Sequence, residues 1–247
     1  MDRNASYIAD IVRVLDEEIA MTAENSTAVS FYWDWADALH MGMNPYARLG
    51  NVTGDSKYHD QMFKMFSFAA LPAGPYRFWN ASAGLFYRDS SHKVKFPAIF
   101  WSRCQGWVMA ALVSAIRYVP EAHPSHPVYV SIFKKMADSL VALQAGDGAW
   151  HSSLTQPAEF PPDSSGSAYI VFSLAFGVNT GLLDRREFLP AVRRGWSWLS
   201  TVAQQSSGLL GWCQTVGDGP NMQIYANSTS DFCVGMYLAA AAQVSRL

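Results

Sequence analysis

Residues 146–153 read GDGAWHSS, and this short loop is the clearest guide to the fold. Two other stretches, GLFYRDSS at 84–91 and SGLLGWCQ at 207–214, share its combination of glycine and aromatic residues. The corresponding glycines, at positions 84, 148 and 208, are separated by 64 and 60 residues. A period near 60 residues accommodates two helices and a loop, so the pattern indicates an array of helical hairpins.

The segments around these loops have helical periodicity. Residues 127–144 carry an apolar stripe that includes Phe133, Met136 and Leu140, whereas Lys134 faces away. Segments of this amphipathic kind alternate with segments that are apolar nearly all round, which is typical of helices surrounded by protein. Eight helices are predicted, at 5–21, 31–52, 55–70, 101–119, 127–144, 165–181, 186–204 and 229–245. The alternation favours two concentric layers, an α/α toroid, and leaves an ordinary α-solenoid open as the alternative.

The composition narrows the classes of partner. Hydrophobic residues make up 50% of the 247 residues and charged residues 15%, which suits a single domain spanning 1–247 with a large core. The formal net charge of −2 gives no basic surface of the kind that binds nucleic acid or anionic lipid. No uninterrupted apolar run reaches about 18 residues, so no transmembrane helix is predicted. We therefore expect neither nucleic acid nor membrane as a partner.

Cysteines and glycosylation sequons bear on the compartment. Cys104, Cys213 and Cys233 are too few for a disulfide framework, and the sequence leaves open whether they are buried thiols or whether Cys213 pairs with Cys233. The opening MDRNASYIAD lacks the apolar stretch of a signal peptide. Sequons of the form N-x-S/T favour a secreted protein over a cytoplasmic one. They occur at Asn4, Asn25, Asn51, Asn80 and Asn227.

Five blocks of sequence carry a family resemblance. They are WDWADALHMGMNPYARLGNVTGDSKY at 33–58, GLFYRDSS at 84–91, FWSRCQGWVMAALV at 100–113, SSGSAYIVFSLAFGVNTGLLD at 164–184 and VGMYLAA at 234–240. In this order they resemble the blocks of glycoside hydrolase family 105, the unsaturated rhamnogalacturonyl hydrolases, which are related to the unsaturated glucuronyl hydrolases. The resemblance implies an all-α fold, a six-hairpin α/α toroid or barrel.

The resemblance also implies what the chain lacks. A ring of six hairpins at about 60 residues each needs roughly 360 residues. Members of the family carry a further N-terminal segment with a second acidic pocket residue, which the acids near the start of this chain do not match. We therefore expect an incomplete toroid of about four hairpins, without the N-terminal portion of the family domain. The tryptophan block departs as well, since Cys104 and Gln105 stand where the family usually has Gly-Asn.

The chemistry implied by the family requires one carboxylic acid. The substrate is an unsaturated uronate left by a lyase: an acid protonates C4, water adds at C5, and the hemiketal collapses to release the remaining saccharide. Asp37, in the block D-A-L-x-M, matches the catalytic acid of the family, and burial among apolar groups raises the pKa of such an acid. Without the family, Asp34 and Asp37 are the cap and first-turn residues with which helices commonly start.

Further residues are predicted to bind the substrate. A tryptophan face packs against a sugar, and an arginine can hold a carboxylate with two hydrogen bonds. The predicted set is Trp33, Asp34, Met41, Arg88, Trp101, Arg103, Trp150 and His151. The residues alone leave alternatives open: the tryptophans as core, with Trp107 expected there in any case, Arg103 as a donor to loop carbonyls, and His151 as a structural residue.

We therefore expect a hydrolase that releases unsaturated galacturonate from lyase-cut rhamnogalacturonan or pectin oligosaccharides. Hydration of the double bond needs no cofactor, and the sequence has no Cys/His cluster or nucleotide-binding motif, so neither a cofactor nor a metal is predicted. One alternative is a shortened, inactive or saccharide-binding remnant, and another is a glycosidase that uses two carboxylates. A shortened ring would expose apolar surface, which favours pairing into a homo-oligomer.

Overall fold

The computed structural model describes residues 5–24, 33–217 and 219–247. These residues form nine α-helices: α1 (Ala9–Glu24), α2 (Ala36–Thr53), α3 (Lys57–Ala70), α4 (Ser90–Lys95), α5 (Ser102–Tyr118), α6 (His126–Ala142), α7 (Ser164–Asn179), α8 (Arg185–Trp198) and α9 (Asp231–Val244). A 3-10 turn, Ala5–Ile8, precedes α1, and a π-helical turn, Leu199–Ala203, follows α8. A short antiparallel hairpin joins β1 (Trp79–Asn80) to β2 (Leu85–Phe86). The sequons at Asn4 and Asn25 lie outside the described residues.

The helices form two layers, and the predicted all-α class is confirmed. The inner helices α2, α5, α7 and α9 pack side by side in that order. The amphipathic helices α3, α6 and α8 pack against α2, α5 and α7 respectively, and α1 also contacts α2. Each outer helix is followed along the chain by an inner helix, so the described residues form four hairpins: α1–α2, α3–α5, α6–α7 and α8–α9.

The two most apolar inner helices differ in burial. Helix α7 buries nearly every residue, as predicted for a helix surrounded by protein. The same prediction is wrong for α9, which buries only Cys233, Ala240 and Gln243 and leaves Val234 and Leu238 exposed. The reason is position, since α9 ends the row of inner helices and packs within that row mainly on α7. We find no candidate bilayer-spanning helix in the described part of the chain.

The three repeated glycines share a backbone conformation. Gly84, Gly148 and Gly208 have φ values of 65°, 93° and 86°, in the left-handed region that favours glycine. At Gly148 a Cβ atom would also lie 2.8 Å from the carbonyl oxygen of Arg194 on α8. Each glycine therefore turns the chain between an outer and an inner helix.

The start of α2 differs from the prediction. Trp35 is extended, with φ −128° and ψ 151°, because it forms a β-bridge with Asp89. The N–H of Ala36 donates to the carbonyl oxygen of Arg88 at 2.7 Å, so the helix begins at Ala36 rather than at residue 31. Residues 31 and 32 of the predicted helix lie outside the described residues. This bridge joins the first block of the sequence to the loop GLFYRDSS.

Candidate active site

The N-terminal ends of the inner helices meet at one end of the molecule. The guanidinium carbon of Arg103, in the first turn of α5, lies 4.8 Å from the ring centre of Phe232 at the start of α9. His40 on α2 and Tyr169 on α7 meet edge to face, with ring centres 5.3 Å apart. Asp37 lies in the first turn of α2, so the predicted catalytic acid belongs to this cluster of helix ends.

Asp37 is a half-buried carboxyl group. Burial raises the pKa of Asp37 above its ordinary value of 3.8, and the negative charge of Asp34 acts in the same direction. Backbone N–H groups and the Arg88 guanidinium oppose this shift without cancelling it. The Oδ1 atom is buried and has no hydrogen-bond partner among the described residues. The carboxyl group therefore holds a proton more readily than an exposed aspartate does.

Arg88 lies beside this carboxyl group. Its guanidinium carbon is 4.2 Å from the ring centre of Trp35, and Nη1 is 2.5 Å from Asp89 Oδ2. Asp89 in turn caps α4 by accepting the N–H of His92 at 2.7 Å. Although burial acts to raise the pKa of Asp89, these hydrogen bonds hold it below its ordinary value. Asp89 is thus a paired carboxylate, unlike Asp37.

His40 is a neutral imidazole whose tautomer is fixed by its neighbours. Burial lowers the pKa of His40 from 6.5 to about 4. Asn44 Nδ2 lies 2.7 Å from the carbonyl oxygen of His40, which identifies that atom as the amide nitrogen. The same nitrogen is 3.3 Å from His40 Nδ1, which must therefore accept. The ring proton is consequently on Nε2, 3.3 Å from the hydroxyl oxygen of Tyr169.

The Tyr169 hydroxyl accepts a hydrogen bond from the Nε2–H of His40. Trp107 lies close to the same hydroxyl. Burial raises the pKa of Tyr169, so its phenol stays protonated. A hydroxyl oxygen that accepts this hydrogen bond keeps its own O–H to donate elsewhere. Tyr169 and His40 were not among the predicted site residues, and their only signal in the sequence is their position on two inner helices.

Arg103 is a clamp for the loop between α8 and α9. Its Nε donates to Ser165 Oγ at 2.7 Å and Nη1 donates to the carbonyl oxygen of Thr215 at 3.2 Å. Nη2 donates to the carbonyl oxygen of Gln214. Of the two alternatives left by the sequence, bonding to loop carbonyls is therefore the one present in the structure. Arg103 is buried, and a role in holding a substrate carboxylate stays a prediction.

Three predicted tryptophans are core residues in the structure. Trp33 is 3% exposed and packs over Gly42. Trp101 donates its indole N–H to Gln214 Oε1 at 3.0 Å, and Trp150 donates to the carbonyl oxygen of Leu140 at 2.7 Å. Their faces are covered by protein, so this geometry does not support sugar stacking on them. Trp107, expected in the core, is partly buried and packs against it, with its ring centre 5.2 Å from that of Trp101.

His151 contacts the backbone of the loop that contains Pro157 and Phe160. Its Nδ1 is 2.8 Å from the carbonyl oxygen of Pro157 and 2.7 Å from that of Phe160, and Nε2 is 3.1 Å from Asp147 Oδ2. Both ring nitrogens therefore face protein acceptors, as expected for the structural alternative. A contact between His151 and substrate stays a prediction without support from these hydrogen bonds.

Met41 and Asp34 are exposed. Met41 is 67% exposed one helical turn beyond Asp37, so it does not form a dry wall in the described residues. Asp34 does not cap α2, because Trp35 occupies the N-cap position and no side chain caps the helix. The backbone bridge to the Arg88–Asp89 loop supplies the partner that a capping side chain would otherwise provide.

Asp163 and Gln105 organise the site, and both were missed as functional residues. Asp163 is fully buried and accepts hydrogen bonds from the N–H and hydroxyl of Ser165 and from the N–H of Gln214. Its position before S-S-G-S is the signal of a helix cap. Gln105 donates to and accepts from the backbone of Phe86, both at 2.8 Å. Gln105, which departs from the family block, thus holds strand β2, which leads to Arg88, through two hydrogen bonds.

The structure shows which of the three cysteines are paired. Cys213 and Cys233 form a disulfide, with Cα atoms 6.3 Å apart, whereas Cys104 is a buried free thiol. The disulfide links the loop that carries Gln214 to α9. Within the described residues there is no group of three or more His, Cys, Asp or Glu side chains suited to a metal ion.

Two cavities lie at opposite ends of the inner helices. The larger, about 710 Å³, is bounded by Arg117, Asn179 and Arg246 near the C-terminal ends of α5, α7 and α9, far from the Asp37 chemistry. A cavity of about 410 Å³ lies beside Arg88, between α4 and the loop at 219–222. The smaller cavity is therefore the one that shares Arg88 with the surroundings of Asp37.

The layered hairpins place the protein in the α/α-toroid class, which comparison with solved structures supports. The model of Glycosyl Hydrolase Family 88 matches residues 3–247, and the chain belongs to this family. A solved structure described as a possible member of family 105, from Salmonella enterica, covers 86% of this chain and 56% of its own, with a TM-score of 0.74 and 16% identity. At that identity the likeness shows the shared fold.

Two curated relatives are both named unsaturated 3S-rhamnoglycuronyl hydrolase. The one from Alteromonas sp. (strain LOR) is 38% identical over 220 residues, which cover 86% of this chain and 51% of the relative. The one from Formosa agariphila is 33% identical over 241 residues, covering 94% of this chain and 63% of the relative. A solved structure described as a polysaccharide lyase is 32% identical, with a TM-score of 0.85, and covers 97% of this chain and 67% of its own. The predicted kinship with unsaturated uronyl hydrolases is confirmed, and the chain spans half to two thirds of the length of these proteins.

Proposed function

We propose that this protein is a glycoside hydrolase that hydrates the C4=C5 double bond of an unsaturated uronate at the end of an oligosaccharide. The observation that carries the proposal is Asp37, a carboxyl group with a raised pKa and an unpartnered buried oxygen at the N-terminal ends of the inner helices. A raised pKa keeps the acid protonated toward neutral pH, as protonation of carbon requires. The curated relatives are named for the same class of reaction.

The reaction needs one acid that later accepts a proton. Asp37 gives its proton to C4, and the electron pair of the double bond forms the new C4–H bond. Positive charge develops at C5, where it is shared with the ring oxygen. Water then forms a bond to C5 and gives a proton back to the Asp37 carboxylate. The resulting hemiketal opens, and the remaining saccharide leaves from C1.

The neighbouring side chains have distinct roles in this proposal. Arg88 is the cation beside Asp37 and attracts the substrate carboxylate. Neutral His40 is unsuited to donating a proton to carbon, but it orients Tyr169, whose free O–H donates to a substrate oxygen. Trp107, partly buried beside Tyr169, offers the remaining aromatic surface at this point.

The two-carboxylate alternative has less support. Asp89 is committed to Arg88 and to the cap of α4, and Asp163 is fully buried and committed to the cap of α7. Neither carboxylate resembles a free base positioned to activate water for direct cleavage. A single acid, Asp37, therefore explains the arrangement better.

The proposed saccharide has two parts, an unsaturated uronate and the sugar linked to it. The sequence predicts unsaturated galacturonate linked to rhamnose, as in pectin, whereas the names of the relatives point to a glycuronyl group on rhamnose. Both agree on an unsaturated uronate followed by rhamnose, which is the substrate class that we propose. The configuration at C4 is lost when the double bond forms. The parent polymer is therefore identified by the second sugar and its substituents.

The test follows the absorbance of the conjugated double bond during incubation with an unsaturated uronyl–rhamnose disaccharide. We expect the wild type to remove the absorbance and Asp37→Asn to slow its loss by about 10² to 10⁴. Asp138→Asn, an exposed carboxylate on the outer helix α6, is the matched control and is expected to stay within a fewfold of wild type. Equal loss in wild type and Asp37→Asn would refute the assignment of the acid.

The same assay separates the competing functions. A lyase, the class printed for one similar structure, would create absorbance from an intact uronate polymer instead of removing it. A saccharide-binding remnant would change neither signal and would still bind the disaccharide in calorimetry. Turnover of a saturated uronyl glycoside would instead favour the two-carboxylate mechanism.

A further inference from the structure

The loop between α8 and α9 carries a glycosylation sequon, Asn227, Ser228 and Thr229, in a tight turn. The N–H of Ser228 donates to the carbonyl oxygen of Tyr225 at 2.9 Å, which closes a β-turn with Asn227 at its third position. Asn227 and Thr229 are both exposed, and neither side chain has a hydrogen bond to the described residues. This sequon therefore presents a free amide nitrogen and a free hydroxyl group to solvent.

The backbone of this turn is held by the preceding part of the loop. The N–H of Trp212 donates to the carbonyl oxygen of Tyr225 at 3.2 Å, and the N–H of Cys213 donates to that of Ser228 at 2.8 Å. The Ser228 hydroxyl accepts the N–H of Tyr225 at 3.1 Å. These bonds use backbone groups and the Ser228 hydroxyl and leave the Asn227 amide unused. A sugar attached to Asn227 would therefore displace no hydrogen bond among the described residues.

The other two sequons that the structure describes have engaged side chains. Asn80 is half-buried in β1, and its Nδ2 donates to the hydroxyl of buried Tyr87 at 3.0 Å. A sugar on this nitrogen would have to fit beside a buried side chain. Asn51 is exposed, but Thr53, the hydroxyl residue of its sequon, donates to the carbonyl oxygen of Leu49 at 2.8 Å within the last turn of α2. The sequon in the loop is thus the one, of these three, with both groups free.

The disulfide indicates a compartment in which this sequon can be modified. Cys213 and Cys233 flank the part of the loop that contains Asn227, at a separation of 20 residues. Disulfides form and persist in secreted proteins and in the lumen of the endoplasmic reticulum, and they are rare in the cytosol. Sugars are attached to exposed N-x-S/T sequons of secreted proteins. The disulfide and the exposed sequon therefore point to the same compartment by independent chemistry.

We infer that Asn227 is an N-glycosylation site of the folded protein and that Asn80 is not. The donor is an oligosaccharide joined through a diphosphate to a polyprenyl lipid. Asn227 Nδ2 forms a bond to the anomeric carbon of the first sugar and gives up one proton to a base of the transferring enzyme. The bond from that carbon to the diphosphate oxygen breaks, and the lipid diphosphate leaves with the electron pair. The inference does not depend on the proposed reaction.

The test expresses the full chain behind a cleavable secretion signal in a eukaryotic cell that attaches N-linked sugars. The purified protein is treated in heavy-oxygen water with an amidase that removes these sugars and leaves a labelled aspartate, which mass spectrometry of peptides locates. We expect the label at Asn227 in most copies and none at Asn80. Thr229→Ala, which destroys the sequon without changing Asn227, should remove the label. Thr229→Ser, the matched control that keeps the sequon, should retain it.

An unlabelled Asn227 in the wild type would overturn the inference, and so would a label that persists in Thr229→Ala or one that is found at Asn80. If no protein is secreted, the chain retained inside the membranes of the secretory pathway is analysed in the same way, with the same outcomes for and against. A glycan at Asn227 that is confined to retained chain, while unmodified chain is secreted, would also reject the inference, because the folded protein then excludes the sugar.

Discussion

Replacing Asp37 with asparagine is expected to stop turnover and yet to stabilise the fold at neutral pH. At a pH above the folded pKa of Asp37, the wild-type carboxylate is ionised in a half-buried place, whereas asparagine keeps the shape without the charge. The amide leaves a polar atom in the place of Oδ1, so the gain comes from removing the buried charge alone. Activity and stability should therefore move in opposite directions.

The magnitude follows from two opposing effects on Asp37. Partial solvent access reduces the desolvation cost to the lower part of its range, about 1–2 kcal/mol. A carboxylate in the first turn of a helix gains about 0.3–1 kcal/mol from the helix dipole, which asparagine gives up. The net gain for Asp37→Asn is then about 1 kcal/mol, or roughly 2–4 °C in Tm for a chain of this size.

The stability difference between Asp37→Asn and the wild type depends on pH. Because the folded-state pKa of Asp37 is raised above the unfolded value, the stabilisation from its protonated form is fully present below the unfolded pKa, near 3.9, and is lost as pH rises through the folded pKa. The advantage of Asp37→Asn should thus appear above that window and vanish in acid. Calorimetric melting of both proteins from acid to neutral pH measures it, with Asp138→Asn on α6 as the exposed control.

A lower Tm for Asp37→Asn at neutral pH would refute this reasoning. It would show that Asp37 is an ordinary first-turn residue whose charge stabilises α2, the alternative that the sequence leaves open. The same dependence of Tm on pH in both proteins, together with lost activity, would show that the pKa of Asp37 is not raised in the folded protein.

Three further outcomes are expected. Gln105→Leu leaves the N–H and carbonyl of Phe86 unpaired, so we expect a loss of about 2–4 kcal/mol in urea unfolding at constant m; a loss below about 0.5 kcal/mol would show that this anchor is dispensable. The pKa of His40 is depressed to about 4, so the wild type should lose stability as pH falls from 6.5 toward 4, and His40→Gln should flatten that slope; parallel slopes would contradict it. Replacing Cys213 and Cys233 together by serine should cost about 3 kcal/mol, and thiol titration of the denatured wild type should find one free thiol before reduction and three after it.

The helical layers could be predicted from sequence because local periodicity reports which face of a helix is buried. The start of α2 could not, since it depends on a bridge between Trp35 and Asp89, which are far apart in the chain. The burial of α9 could not be predicted either, because an apolar helix does not encode how many neighbours it has. Local pattern determines which faces bury, whereas position in the row determines how completely.

The candidate site was predicted unevenly for the same reason. Asp37 belongs to a specific block and lies where the resemblance implies, at the end of an inner helix. Arg103 and Trp101 were expected to face a substrate, yet both donate to Gln214, more than a hundred residues away. A residue type indicates what a side chain can bind, but its partner is chosen by loops that have no periodic signal. Tyr169 was missed because its role depends on His40, which lies on another helix 129 residues away in the chain.

The network around Asp163 explains how the site can be held although α9 packs along its length mainly on one inner helix, α7. Asp163 caps α7 and binds the N–H of Gln214, while Arg103 on α5 binds the carbonyl of the same residue. The next residue back, Cys213, is covalently joined to Cys233 on α9, closing a loop with a separation of 20 residues. Cross-linking a loop of that length contributes about 3 kcal/mol by restricting the unfolded chain. Three inner helices are thus tied together at their N-terminal ends through one loop, and packing along the length of α9 is not required to keep those ends in register.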